Sequence, residues 1–273
     1  MSQADSAKLI EQGVTICRRP QVYLVGRQIT NDTEINRFLS DHQVEHWETD
    51  TDEAGQKLSE IAGRMCYMSF AKPRPGGNSA YMKNIIDVGH GSVLEHAVYN
   101  FIITGVSRSF THELIRHRAG FGYSQLSQRY VDESECEFVE PEIIARDAEL
   151  HALFVQTVAA CQKAYIELTA KLADKIERQN PELSKTDRRK AARQAARSVL
   201  PNATETKIFV TVNARALRHF LHLRGSIHAE DEIRRVALLL HEIVARESPN
   251  FFADFEVREE AGKKVLYTAN AKV

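Results

Sequence analysis

The chain has 273 residues, with 36 lysines and arginines against 37 aspartates and glutamates, for a formal net charge of -1. That length buries one large core or two small ones, and the charge balance argues against a general nucleic-acid binder, so any basic cluster is expected to serve a small anionic ligand. No apolar run approaches the roughly 20 residues that span a bilayer, and Met1 to Gln12 has no apolar signal core, so the expectation is a cytoplasmic protein with a flexible N-terminal extension over residues 1–20 and one domain over 21–273.

Val22 to Gly26 reads as a short strand, and Thr33 to Ser40 and Ala54 to Met65 read as helices. Pro73-Arg74-Pro75-Gly76-Gly77-Asn78 reads as a loop, stiff at its proline end and free at its glycine end, and a helix follows near Ala80 to Val88. Ala97 to Gly105 forms a strand. Val106-Ser107 then runs into a helix cap, after which Phe110 and Leu114 recur at helical spacing with His117 next in the row. This spacing puts Arg116-His117-Arg118 on a last helical turn, and Ala119-Gly120-Phe121-Gly122 breaks the helix into a flexible loop. Ser127-Gln128-Arg129-Tyr130 comes next. Guanidinium forks beside serine hydroxyls suit phosphate oxygens. The plain alternatives are a solvated basic turn and cations drawn to a helix C-terminus.

Ala145 to Gln179 is a long helical stretch with one break at most. In Lys185 to Arg197 the alanines at 191, 192, 195 and 196 make a close-packing face, while Arg189, Arg193 and Arg197 line another. Arg197 is left at a boundary, because Ser198 to Pro201 ends the helix. Ile208 to Val212 is β-branched, and a helix from Asn213 to Leu223 is stopped by Gly225. On a helical wheel Ala216, Leu217, Phe220, Leu221 and Leu223 form an apolar arc. Arg215, Arg218, His219 and His222 face away from it, and Arg224 sits in its middle. A guanidinium there needs a partner: a core carboxylate such as Glu95 or Glu232, water reached by fraying, or a ligand anion. His219, His222 and His228 have no thiolate or H-E-x-x-H near them and are ringed by arginines, which argues against a metal. Ile233, Val236, Ala237, Leu240, Ile243 and Val244 give the last helix its core stripe. The four cysteines, Cys17, Cys66, Cys136 and Cys161, are scattered and read as reduced, partly buried thiols. Strands and helices mix without βαβ alternation and without a convincing linker, which predicts an α+β fold.

Five ordered motifs resemble the flavin-dependent thymidylate synthases over about Cys66 to Phe255: Gly89-His90-Gly91-Ser92-Val93-Leu94-Glu95-His96; Arg116-His117-Arg118 with Ser127 and Arg129; Arg197-x-Val199-Leu200-Pro201; Thr211-Val212-Asn213-Ala214-Arg215; and Leu223-Arg224 with His228-Ala229. The resemblance implies a single-domain α+β subunit with a central, mainly antiparallel sheet flanked by helices, assembled as a homotetramer with shared active sites. It implies FAD held without a G-x-G-x-x-G fingerprint, NADPH as reductant, methylenetetrahydrofolate as carbon donor and conversion of dUMP to dTMP without an enzyme nucleophile. Ser92, Arg116, His117, Arg118, Gln125, Asn213, Arg215 and His219 would contact FAD. Glu113, Arg116, Gln125, Leu126, Ser127, Gln128, Arg129, Arg197 and Arg224 would bind dUMP, with Arg224 favouring ionisation at N3 of the uracil. Eight residues, Ala119 to Leu126, separate Arg118 from Ser127, one more than the family usually has, and Phe121-Gly122 stands where a serine is expected. His219 stands where some members carry asparagine. The competing readings are a flavin-dependent reductase or another nucleotide-modifying enzyme on the same scaffold, and an RNA-binding module, against which the neutral charge weighs.

Overall fold

Gln12 and Gly13 take φ values of 49° and 81°, the left-handed pair that a two-residue hairpin turn requires. They join β1 (Lys8–Glu11) to β2 (Val14–Cys17) in antiparallel register. The structure, a computed structural model, describes residues 8–44, 47–72 and 75–273. Within those residues the hairpin corrects the flexible extension expected up to residue 20. β2 adds in parallel to β6 (Glu137–Val139), and Val14 and Ile16 are buried with Phe138, Val155 and Val158. Apolar burial holds the hairpin down, and strands of four residues are too short to announce themselves by period.

β3 (Gln21–Gly26), α1 (Asp32–Asp41) and α2 (Ala54–Met65) follow as the sequence predicts. The Glu53 carboxylate caps α2 by accepting from the amides of Gly55 and Gln56 at 2.8 and 2.7 Å. α3 (Gly77–Asp87) starts inside the segment read as a loop, with the Asn78 amide donating to Asp50 at 2.8 Å; Pro73 and Arg74 lie outside the described residues. β4 (Val98–Ser107) leads into α4 (Arg108–Leu114), capped as expected by Ser107, whose hydroxyl accepts from the Phe110 amide at 3.0 Å. α4 ends at Leu114. Arg116, His117 and Arg118 therefore lie beyond the helix, not on its last turn, and the expected flexible loop contains β5 (Phe121–Gln125). The long helical stretch is one unbroken helix, α6 (Ala148–Gln179), which starts where the Asp147 carboxylate caps it, and the short α5 (Glu142–Ala145) precedes it. α7 (Lys185–Ala196) buries Ala192 and Ala196 but leaves Ala195 exposed, so its packing face is narrower than expected. β7 (Glu205–Asn213), α8 (Ala214–Arg224), α9 (Asp231–Glu247), α10 (Pro249–Phe252) and the hairpin β8 (Glu256–Glu260) to β9 (Lys263–Tyr267) complete the chain.

The fold is α+β and mainly antiparallel, and its four-stranded sheet has the order β3-β4-β7-β5. Backbone proximity divides the chain into two compact units. The α6 unit holds residues up to Gln21, Ile103–Leu114 and Ser124–Ile208; the α8 unit holds Val22–Ile102, Ile115–Tyr123 and Phe209–Val273. The chain crosses between them inside β3, β4, β5 and β7 and at the end of α4, which is why no linker in the sequence marks the division.

The buried arc of α8 is rotated from the one the wheel predicts. Arg218, expected on the polar side, is 1% exposed, whereas Leu223 is 43% exposed and Arg224 is only half-buried. Arg218 is buried because its acceptors are complete. Its two Nη groups donate to Asp254 at 2.6 and 2.9 Å, one of them also reaches the Phe251 carbonyl, and the guanidinium lies 5.1 Å over the Phe255 ring. Burial alone would raise the Asp254 carboxyl, but Arg218, Thr268 and Asn270 more than reverse this and hold it at about 2. The folded value lies below the unfolded one, so this stabilisation is complete above roughly pH 4 and is lost as pH falls toward about 2. Asp254→Ala strands the buried charge and should cost about 3–5 kcal/mol in denaturant unfolding. A loss under about 1 kcal/mol, the scale of an exposed pair, would contradict that role.

Candidate active site

The α8 unit carries Ser92, Arg116, His117, Arg118, Asn213, Arg215, His219 and Arg224. Gly120 places the basic turn on the start of α8. Its φ of +73° suits glycine, its carbonyl accepts from the Asn213 amide at 3.0 Å, and a Cβ there would fall 2.6 Å from Ala216. Asn213 caps α8, its Oδ1 accepting from the Ala216 amide at 2.8 Å. The Phe121 amide donates to the Arg118 carbonyl at 3.2 Å. The eight residues between Arg118 and Ser127 thus form a tight turn and β5, with no free loop.

His117 is held from several directions. Phe220 meets its ring edge-on at 5.0 Å, with Phe121 at 5.9 Å and His219 at 6.3 Å. The Tyr123 hydroxyl donates to its carbonyl at 2.6 Å, and Arg224 Nε donates to its Nε2 at 3.0 Å. A ring nitrogen that accepts is unprotonated, so the imidazole is neutral with its proton on Nδ1. Burial, then the Arg224 charge and His219, push His117 down to about 4. Arg215 pairs with Glu95 at 2.5 Å, joining α8 to the 3-10 turn Gly91–His96 that presents Ser92. Glu95 is thereby committed to Arg215. Arg116 and Arg118 are exposed, and among the described residues no carboxylate pairs with either.

The α6 unit carries Glu113, Gln125, Leu126, Ser127, Gln128, Arg129 and Arg197. Gln125 Nε2 donates to the Thr111 and Thr206 hydroxyls at 3.2 and 3.3 Å, and the Leu126 amide donates to the Lys207 carbonyl at 2.9 Å. Ser127 shapes the next turn: its carbonyl accepts from the amides of Tyr130 and Val131, and its hydroxyl accepts from that of Arg129. Gln128 is 5% exposed. Its Nε2 and the Nε of Arg129 are buried with no hydrogen-bond partner, a costly state that a ligand oxygen would relieve. Burial lowers Arg108; Glu133 opposes the shift and Arg197 adds to it. Glu133 itself is raised by burial against the pull of Arg108. Burial also raises the thiols of Cys17 and Cys136, the latter to about 12.

Sequence reasoning passed over Phe121 and Tyr123, which stack at 5.7 Å beside His117. Their two-residue spacing is the signal, legible once the segment is read as a strand. Glu133 left no signal, since its burial under Tyr165 of α6 is a tertiary event.

A family model described as "Thymidylate synthase complementing protein" matches residues 48–250. The flavin-dependent thymidylate synthase of Mycobacterium sp. (strain KMS) is 57% identical over 215 residues, covering 77% of this chain and 84% of the relative. That of Mycobacterium tuberculosis (strain ATCC 25177 / H37Ra) is 53% identical over 213 residues, covering 77% and 83%. A solved structure described as a UMP/dUMP methylase PolB from Streptomyces cacaoi bound with 5-Br dUMP aligns with a TM-score of 0.60 at 20% identity, over 87% of this chain and 95% of that one; at that identity the likeness concerns the fold alone.

His117 is expected to titrate near 4 by NMR, and Arg224→Ala to raise it part of the way toward 6.5, because burial remains. The unfolded chain binds more protons across that interval, so stability from this group is complete above about pH 6.5 and is lost as pH falls toward about 4. Titration of the native protein near 6.5 would refute the buried, neutral imidazole.

Proposed function

The chain belongs to the flavin-dependent thymidylate synthase family, and from that premise we propose how its residues carry out the reaction. It is a thymidylate synthase that reductively methylates dUMP to dTMP. In the finer reading methylenetetrahydrofolate donates the carbon and leaves as tetrahydrofolate, while NADPH supplies the reducing equivalents through FAD. The observation that carries this reading is the set of donors without a counter-charge: Arg116 and Arg118 in the α8 unit, Gln128 Nε2 and Arg129 Nε in the α6 unit.

FAD fits what the α8 unit offers. Two unpaired guanidiniums suit a pyrophosphate, and the neutral imidazole beside the half-buried Phe121 and Tyr123 suits a flat ring system. Ser92, Arg116, His117, Arg118, Gln125, Asn213, Arg215 and His219 are proposed to hold it. Asn213 spends its Oδ1 on the α8 cap, so Nδ2 is the atom it has to offer. When bound, the flavin supplies the hydride that completes the methyl group. Glu113, Arg116, Gln125, Leu126, Ser127, Gln128, Arg129, Arg197 and Arg224 are proposed to hold dUMP. Arg224 is the catalytic residue in this reading: a guanidinium directed at N3 stabilises negative charge on the uracil most where water is excluded. Cys17 and Cys136, raised by burial, are poorly suited to act as thiolate nucleophiles.

The proposed catalytic domain spans residues 21–273, and the proposed assembly is a cytoplasmic homotetramer with shared sites and no nucleic-acid or membrane partner. Among the described residues no helix is long and apolar enough to cross a membrane.

The purified protein should show an oxidised-flavin absorption spectrum that shifts when dUMP is added; a protein that takes up no FAD would overturn the cofactor reading. Arg224→Ala should lower turnover by at least about 100-fold with flavin retained, and normal dTMP formation would remove Arg224 from catalysis. Arg118→Ala should weaken FAD binding about tenfold, and unchanged flavin content would contradict its placement.

A further inference from the structure

Arg224 donates from Nε to Nε2 of His117 at 3.0 Å, so the acceptor at that nitrogen is an imidazole. We propose that His117 is a positioning residue for Arg224, its unprotonated Nε2 accepting from the Arg224 Nε–H and setting the plane of the guanidinium that meets the uracil. This rests on the reading of Arg224 as a nucleotide-binding residue.

The guanidinium is planar, so anchoring Nε fixes where both Nη groups point. A neutral acceptor gives that direction without adding a negative charge. The acceptor is itself held firmly. Tyr123 fixes the His117 backbone, Phe220 and Phe121 fix the ring, and the Gly120–Asn213 hydrogen bond ties the same turn to the start of the helix that ends in Arg224. Among the described residues the charged and titratable groups that act on the imidazole are Arg224 and His219, and burial with these two keeps it unprotonated near neutral pH. The bond also joins residues 107 positions apart, so a side chain in the proposed flavin set orients one in the proposed dUMP set.

The test is dUMP affinity by calorimetry in FAD-saturated protein for His117→Leu, His117→Gln, Arg224→Ala and the His117→Leu/Arg224→Ala double variant. His117→Leu should weaken dUMP about tenfold, the scale of one lost hydrogen bond. His117→Gln, whose amide oxygen can accept, should stay within about threefold of wild type. In the Arg224→Ala background the leucine should cost nothing further. Equal losses in both backgrounds, or no recovery with glutamine, would show a merely structural role and overturn the proposal. Unchanged affinity in His117→Leu beside a weakened Arg224→Ala overturns the positioning role alone. Unchanged affinity in Arg224→Ala removes Arg224 from the nucleotide site and the positioning role with it. Nitrogen NMR of the wild-type holoenzyme should place the imidazole proton on Nδ1 near neutral pH, and a proton on Nε2 overturns the proposal without recourse to any variant.

Discussion

A guanidinium that leaves water must find acceptors, and the way this chain meets that demand separates its arginines by role. Arg218 is closed by a carboxylate fork, a backbone carbonyl and an aromatic face. Arg64, 4% exposed, is closed by Glu60, and Asn78 and Thr49 occupy the other oxygen of the same carboxylate. Arg18 is closed by Glu140. These charges are cancelled where they stand, and they hold elements together. Arg224 is met at Nε by a neutral imidazole, and Arg116 and Arg118 remain in water. Arg116 and Arg118 keep the capacity to bind an anion, which is what a nucleotide phosphate or a pyrophosphate requires.

Within the α8 unit the basic turn and α8 form one construction. The Gly120 carbonyl meets the Asn213 amide, Asn213 caps the helix, and the helix delivers Arg224 to His117. A longer loop can be accommodated because β5 and its preceding turn absorb it into regular hydrogen bonding; a flexible loop could not hold an imidazole in one tautomer. The α6 unit solves a different problem. Its Ser127 turn fixes the backbone by local hydrogen bonds while leaving Gln128 Nε2 and Arg129 Nε unsatisfied. Buried donors of that kind are tolerated when a ligand completes them.

Much of the fold and most of the candidate site were legible because local chemistry determines them. The α2 boundaries, the Ser107 cap and the α9 stripe follow from side chains acting within a few residues of themselves. The motifs from Gly89 to Ala229 also carried the family by themselves, since their residue types and order are a property of the chain. What the sequence left open was decided by distant partners. The α8 wheel placed Arg224 at the centre of the buried face and Arg218 outside it, and Asp254 reversed this, because a charge is buried where its counter-charge folds against it and not where periodicity points. The N-terminal hairpin is ordered by Phe138 and α6, more than a hundred residues away. The neutrality of His117 depends on Phe220, His219 and Arg224 closing around it. Sequence therefore determined which groups are available and which local turns they make; only the tertiary structure determined which charges are cancelled, since Coulomb partners and desolvation act through space, without regard to separation along the chain.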